Sequence, residues 1–315
     1  MAEPDGLYRV EDDYRVEDDA AAVGEPGGTV LVHAFTGFVD AGQAGEVAVA
    51  HLLETLEHRV VATFDTDQLV DYRSRRPPML FDADHWVSVE APELVLREVR
   101  DGDGTPFLLL SGPEPDVQWE RFTRAVTELV ERFGVRLTVG LGSIPMAVPH
   151  TRPATVTAHA TRPELVAGHE KWFGVVQVPG SIGNLLELRL GEAGHDAVGF
   201  AAHVPHYLAR IEWPEAAASL LQEVSRAAGL ALPLDELRTA SRKALREVDE
   251  QVARSEESRE VVAALEQRFD AAVTAGGRRS LLPGGADGAE LPSGDEIAAE
   301  LEQFLAEQDG DPGAG

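Results

Sequence analysis

The run from Thr29 to Asp65 constrains the fold most. Thr29 to Phe35 (TVLVHAF) is a short apolar, β-branched segment and reads as a buried strand. Gly37 to Asp40 turns the chain, and Asp40 is placed to cap a helix from Ala41 to about Leu56. Val60 to Asp65 is strand-like again. Strand, helix and strand in this order form a crossover unit, so a parallel pair with a right-handed connection is expected.

The alternation continues downstream. Trp86 to Glu90 alternates like a strand, and Pro92 to Val99 reads as a short helix with proline near its first turn. Phe107 to Leu110 is a buried strand, and Gln118 to Phe133 is an amphipathic helix stopped by Gly134. Arg136 to Leu141 follows as a strand, then a loop containing Pro145, Pro149 and Pro153. Thr155 to Ala160 and Val175 to Val178 read as strands, Ile182 to Leu190 as a helix, and Ala197 to Ala202 as the last strand. The expectation is a three-layer α/β/α domain with a mostly parallel sheet over residues 29–213.

After Trp213 and Pro214 the pattern changes to helix alone, over residues 214–275. Leu234, Leu237, Leu245, Val248 and Val252 have three-four spacing, resumed by Val261, Val262, Leu265, Phe269 and Val273. Ser255 to Ser258 interrupts this seam and reads as a solvated helix face or a helix-helix corner, the corner favoured. So apolar a seam needs a partner, either the α/β domain or another subunit.

Charge divides the chain further. The 55 acidic and 27 basic residues give a net charge of -28. Residues 1–28 and residues 276–315 each hold nine acidic and two basic residues, so each carries -7. Both are expected to be disordered acidic tails, since such segments bury too little apolar surface to offset ordering entropy. A short helix is expected within the second, from Asp295 to Ala306. The first holds YRVEDD twice, Tyr8 to Asp13 and Tyr14 to Asp19. This repeat is either a slip in a solvated tail or a docking peptide for a basic partner.

The same charge argues against nucleic acid and against anionic membranes as partners. No run of about 18 apolar residues is present, and the first 28 residues lack a signal pattern. The expected location is the cytoplasm. Without cysteine there is no disulfide framework, thiolate metal site or cysteine nucleophile.

Motifs for chemistry are sparse. Gly37-Phe38-Val39-Asp40-Ala41-Gly42 lies where open α/β sheets bind ligands, but Gln43 and Ala44 replace the Lys and Ser/Thr of a phosphate loop. Gly140-Leu141-Gly142 is followed by Pro145 where a dinucleotide fingerprint needs glycine. Neither Ser143 nor Ser181 lies in a nucleophile elbow, since Leu141 and Pro179 occupy the first glycine positions. His203-Val204-Pro205-His206 has a ligand-like spacing, yet Pro205 breaks the helix that would align the pair. His150-Thr151-Arg152 groups an imidazole, a hydroxyl and a guanidinium that could bind a carboxylate or phosphate, or equally hold their loop. Arg73 to Pro78 (RSRRPP) is the basic cluster of an acidic chain. No catalytic residue, metal site or cofactor is assigned.

Six segments together carry a resemblance: Phe38 to Gly42, Asp71 to Arg73 with Arg76-Pro77, Ser111 to Pro115, Pro149 to Pro153, Pro179 to Gly183, and Val204 to Leu208. In this order and spacing the chain resembles the proteasome assembly chaperone family, of the second-chaperone-subunit type. It looks most like an actinobacterial branch with an added C-terminal helical region, over residues 29–273. The resemblance implies a phosphorylase-like or hydrolase-like α/β/α fold, a homo-oligomer (a trimer favoured), and a role in protein assembly without catalysis. Eukaryotic members dock on proteasome subunits through a hydrophobic-tyrosine-type C-terminal ending; this chain ends Asp311 to Gly315 (DPGAG) and departs from it.

Two functions stay open on the residues. One is a non-catalytic assembly or interaction protein with itself, and a proteasome-related or other protein, as partners. The alternative is a small-molecule binder, or a hydrolase- or ligase-type enzyme, with Asp40, Ser143, His150, Arg152 and Asn184 as ligand-binding candidates at presumed strand ends.

Overall fold

The structure, a computed structural model, describes residues 6–11 and 28–274. The expected helix from Asp295 to Ala306 lies outside them, as does most of the hexapeptide repeat.

Ten strands are described. They are β1 (Tyr8–Val10), β2 (Thr29–Thr36), β3 (His58–Phe64), β4 (Met79–Asp82), β5 (His85–Val89), β6 (Val95–Arg100), β7 (Pro106–Pro113), β8 (Val135–Met146), β9 (Val156–Ala160) and β10 (Ala197–Pro205). Seven helices join them: α1 (Ala44–Thr55), α2 (Thr66–Leu69), α3 (Trp119–Arg132), α4 (Ile182–Glu192), α5 (Pro214–Ala228), α6 (Asp235–Ala253) and α7 (Glu256–Thr274). Eight strands form one sheet in the order β1-β3-β6-β7-β2-β8-β10-β9, and β4 and β5 form a separate hairpin.

The main sheet is mixed, which corrects the expectation of a mostly parallel, phosphorylase-like one. Neighbours β7, β2, β8 and β10 are parallel. The other four pairings, β1 with β3, β3 with β6, β6 with β7 and β10 with β9, are antiparallel. The crossover from β2 through α1 to β3 does give two strands of the same direction. They are not neighbours, because β6 and β7 stand between them.

The cause is a hairpin within residues 92–113. Pro92 to Val99 is not a helix; its second half is strand β6, between β3 and β7. Leu94, Leu96 and Val99 are buried, so tertiary packing outweighs the local helical preference. The turn Asp101-Gly102-Asp103-Gly104 closes β6 onto β7. Asp101 Oδ1 accepts from the N–H of Asp103 (3.0 Å) and of Thr105 (2.8 Å), and Gly104 has a φ of +83°. Val175 to Val178 lies in no strand, a second departure from expectation. A third is β1, inside the segment read as an acidic tail: Tyr8, Arg9 and Val10 pair with β3.

Helices cover both faces of the sheet. On one, α1 and α5 pack through Ala44, Ala48, Leu52, Leu220, Leu221 and Val224. On the other, α3 and α4 pack through Phe122, Val126, Leu129, Ile182, Leu186 and Leu190. The corner expected near Ser255 separates α6 from α7. Leu237 and Val248 of α6 join the first core, and Phe269 and Ala272 of α7 join a cluster with Met146, Val148 and Trp172. The helical seam therefore packs on its own α/β body.

Strand β8 runs past Leu141, where a loop was expected, through Pro145 to Met146. Pro145 is tolerated because continuous pairing with β2 has ended at Gly140 and only β10 accompanies it there.

Gly42 marks the joint between β2, α1 and α5. Its N–H donates to Ala209 O (2.7 Å), its carbonyl accepts from Trp213 N–H (2.8 Å), and its φ is +66°. A Cβ there would lie 2.7 Å from Trp213 Cβ. Gly42→Ala is expected to cost about 2–4 kcal/mol through left-handed strain and overpacking, measured by equilibrium urea unfolding.

Candidate functional site

Asp40 closes the turn after β2 and holds the start of α1. Its Oδ1 accepts from Gly45 N–H (2.9 Å) and its Oδ2 from Glu46 N–H (3.1 Å), satisfying two amides that a helix start leaves free. Ser143 is 1% exposed. Its Oγ lies 2.6 Å from Asp40 Oδ1 and 2.8 Å from Ala41 O, so its one proton is shared between two acceptors. Asp40 and Ser143 also form an isolated parallel bridge.

His150 and Arg152 are placed elsewhere. The Tyr207 hydroxyl accepts from His150 N–H (2.9 Å) and lies 2.6 Å from His150 Nδ1, while Nε2 is 3.2 Å from Asp249 Oδ1 on α6. Tyr207 donating to Nδ1 and Nε2–H donating to Asp249 satisfies both ring nitrogens. Burial pushes the Tyr207 phenol up to about 12. Arg152 forms a fork on Asp270 of α7, Nε to Oδ1 at 2.9 Å and Nη2 to Oδ2 at 2.8 Å, and Nη1 reaches Glu266 at 3.1 Å. These hydrogen bonds lower the Asp270 carboxyl below its usual range. Thr151 donates to the same Glu266 (2.5 Å). The carboxylates met by this trio are the chain's own.

Asn184 sits in the first turn of α4, its N–H on the capping Ser181 Oγ (3.2 Å). Asp40, Ser143 and Asn184 line one pocket of about 180 Å³ over β2, β8 and β10; His150 and Arg152 do not.

Four further polar residues line it that sequence reasoning missed: His33, Glu114, His159 and Glu187. Glu114 Oε1 accepts from Ile182 N–H at 2.6 Å, and burial raises its carboxyl above the usual value. His159 Nδ1 lies 2.8 Å from Glu187 Oε2. His33 is 5% exposed, and burial lowers its imidazole to about 4. A lone histidine in an apolar strand was the available signal for both His33 and His159.

His203 lies 2.8 Å from Thr155 Oγ1 and 2.7 Å from Thr157 Oγ1; burial holds it near 4 as well. Among the described residues no three His, Asp or Glu side chains converge as a metal site, and no helix is long and apolar enough to cross a membrane. Arg75 of the basic cluster binds Asp116 (2.8 Å), leaving Arg73 and Arg76 exposed beside the β4–β5 hairpin.

Fold and site together define a class: an α/β protein with a mixed sheet and a clamped helical pair, whose reactive-type side chains largely join its own elements. The PAC2 family model matches residues 34–252, and the chain belongs to the PAC2 family. A Mycobacterium tuberculosis protein of unknown function is 48% identical with a TM-score of 0.81, covering 87% of this chain and 92% of that one. A Corynebacterium glutamicum protein of unknown function is 40% identical, TM-score 0.80, covering 85% and 99%. A Mycobacterium tuberculosis proteasome-assembly chaperone homologue is 28% identical, TM-score 0.68, covering 74% and 100%. These relatives place the chain near the actinobacterial members. No curated protein matches it.

Two outcomes follow from the geometry. Asp40→Ala removes two helix-start acceptors and one of the two acceptors of Ser143 Oγ, and is expected to cost about 2–3 kcal/mol in denaturant unfolding. The second concerns pH. His33 and His203 titrate near 4 when folded, against 6.5 ordinarily. The unfolded chain therefore binds more protons between these values, so stability is full above about pH 6.5 and declines as pH falls toward 4. The slope reaches about 1.4 kcal/mol per pH unit for each histidine. His203→Phe should flatten the decline measured by unfolding at stepped pH.

Proposed function

We propose that the chain is a non-catalytic assembly protein of the cytoplasm that works as a homo-oligomer, a trimer favoured, and meets protein partners through its surface. The observation that carries this reading is the β4–β5 hairpin. Met79, Leu80, Phe81, Trp86, Val87 and Val89 are each more than half exposed. A two-stranded hairpin is marginal alone in water, and an apolar patch of this kind marks a contact surface.

A second copy of this chain is the occupant that the charges favour. The exposed Arg73 and Arg76 stand at the hairpin's base, while the chain as a whole is at -28. An acidic neighbour of the same sequence complements that base. The chaperone homologue among the relatives supports a role in protein assembly, and a proteasome-related protein is the partner proposed on that footing. Asp40 and Ser143 act here as joints of the fold, and His150 and Arg152 as its clamps.

The test is the mass in solution by light scattering and sedimentation. The wild type is expected at a multiple of 33.9 kDa, near three. Leu80→Asp with Trp86→Asp should give a monomer with unchanged circular dichroism. A wild type that is monomeric at tens of micromolar would sink the reading.

A further inference from the structure

Four strands meet in one row across the sheet. His33 of β2 stands beside Gly140 of β8, Gly140 beside Gly199 of β10, and Gly199 beside His159 of β9. The two glycines leave room for the two rings. A Cβ at Gly140 would lie 2.9 Å from His33 Cε1, and one at Gly199 would overlap the His159 ring. The imidazoles therefore lean over the glycines from opposite sides of one trough. Helix α4 roofs it with Gly183 and, one turn on, Glu187; a Cβ at Gly183 would be 3.4 Å from His33 Cε1. This trough is the pocket of about 180 Å³.

The pocket's polar groups are unequally satisfied. Asp40 is committed to α1 and Ser143, and Glu187 to His159. Glu114 is 6% exposed; one oxygen takes the Ile182 N–H, and the other has no donor among the described residues. His33 is as deeply buried, and neither of its nitrogens has a protein partner; Nδ1 is a buried atom without any hydrogen bond. Both groups flank the first turn of α4, Glu114 at Ile182 and His33 at Gly183. A buried imidazole left unmatched is costly unless something donates to it, and the second Glu114 oxygen beside it is free to accept.

The lining decides what that donor is. It contains three carboxylates, those of Asp40, Glu114 and Glu187, and no lysine or arginine. An anion is repelled there, whatever the helix N-terminus offers it. Phe35 and Phe38 add aromatic faces, which attract a cation. We propose that this trough binds a small ligand through a protonated amine, with Glu114 as its counter-charge, His33 as an acceptor, and Phe35 and Phe38 against its apolar body. Burial keeps His33 neutral at physiological pH, so one ring nitrogen retains its lone pair. The site lies within one protomer, so its fate is separable from that of the oligomer reading.

The experiment is a thermal-shift titration of the full chain at neutral pH and fixed ionic strength. Its probes are benzylamine, butylamine, benzyl alcohol and benzoate. Both amines should raise Tm saturably in the millimolar range while the alcohol and benzoate do not. Glu114→Gln keeps an acceptor for Ile182 N–H and should weaken benzylamine at least about tenfold. In the wild type, benzylamine should also shift the His33 Cε1–H resonance, a readout independent of any variant's folding. Equal shifts with benzyl alcohol, a shift with benzoate instead, or no response of Tm and resonance to either amine would each overturn the proposal.

Discussion

A single carboxylate, that of Asp40, sets the joint around which the layers are arranged. One side chain fixes the exit of β2, the entry of α1 and, through Ser143, the end of β8. Two residues on, Gly42 ties the same turn to the segment leading into α5 by main-chain bonds in both directions. Helix, sheet and second helix are thus bound within a few residues of sequence. A helix start needs acceptors for its first amides, and here the acceptor also receives a serine from a strand over a hundred residues away. Local capping and tertiary registration are one interaction.

The helical pair is attached by similar means. The loop after β8 presents His150, Thr151 and Arg152 to carboxylates on α6 and α7. Isolated exposed ion pairs contribute little. A forked guanidinium beside an imidazole held at both nitrogens fixes direction as well as distance, so it orients the pair while Phe269 and Val262 supply burial. Residues whose types suggest chemistry are spent on architecture. Of the pocket's lining, His33 and His159 stand instead in runs that read as core strand.

That inversion explains what was legible in the sequence and what was not. Long amphipathic elements were: α3 with its stop at Gly134, α4 behind Ser181, and the break between α6 and α7. The existence of most sheet strands was too, because apolar β-branched runs are local signals. Strand order was not. The Asp-Gly-Asp-Gly turn is a hairpin signal, but Val95, Leu96 and Val99 among the charges of Glu93 to Arg100 have a spacing that also suits a helix, and only burial between β3 and β7 decides. Of five candidate residues, Asp40, Ser143 and Asn184 fall at one pocket because the turn after β2, strand β8 and the first turn of α4 meet there. His33, Glu114 and His159 escaped because their meeting depends on the cross-strand row, and register is invisible until strand order is known.

The turn between β6 and β7 has a consequence for how the chain reaches this form. Asp101 Oδ1 closes the turn, and its Oδ2 accepts the Ala231 N–H at 2.8 Å, in the link between α5 and α6. The Gly102 N–H in turn donates to Ala231 O at 2.9 Å. The hairpin is a local structure and can form early, whereas the link arrives from 130 residues away. The Asp103 and Thr105 amides orient the carboxylate that receives Ala231. Loop closure onto a preset acceptor loses less freedom at the moment of contact. The Ala231 amide is thus a point at which two distant parts of the chain are joined, and its protection against hydrogen exchange reports whether the link is docked on the hairpin.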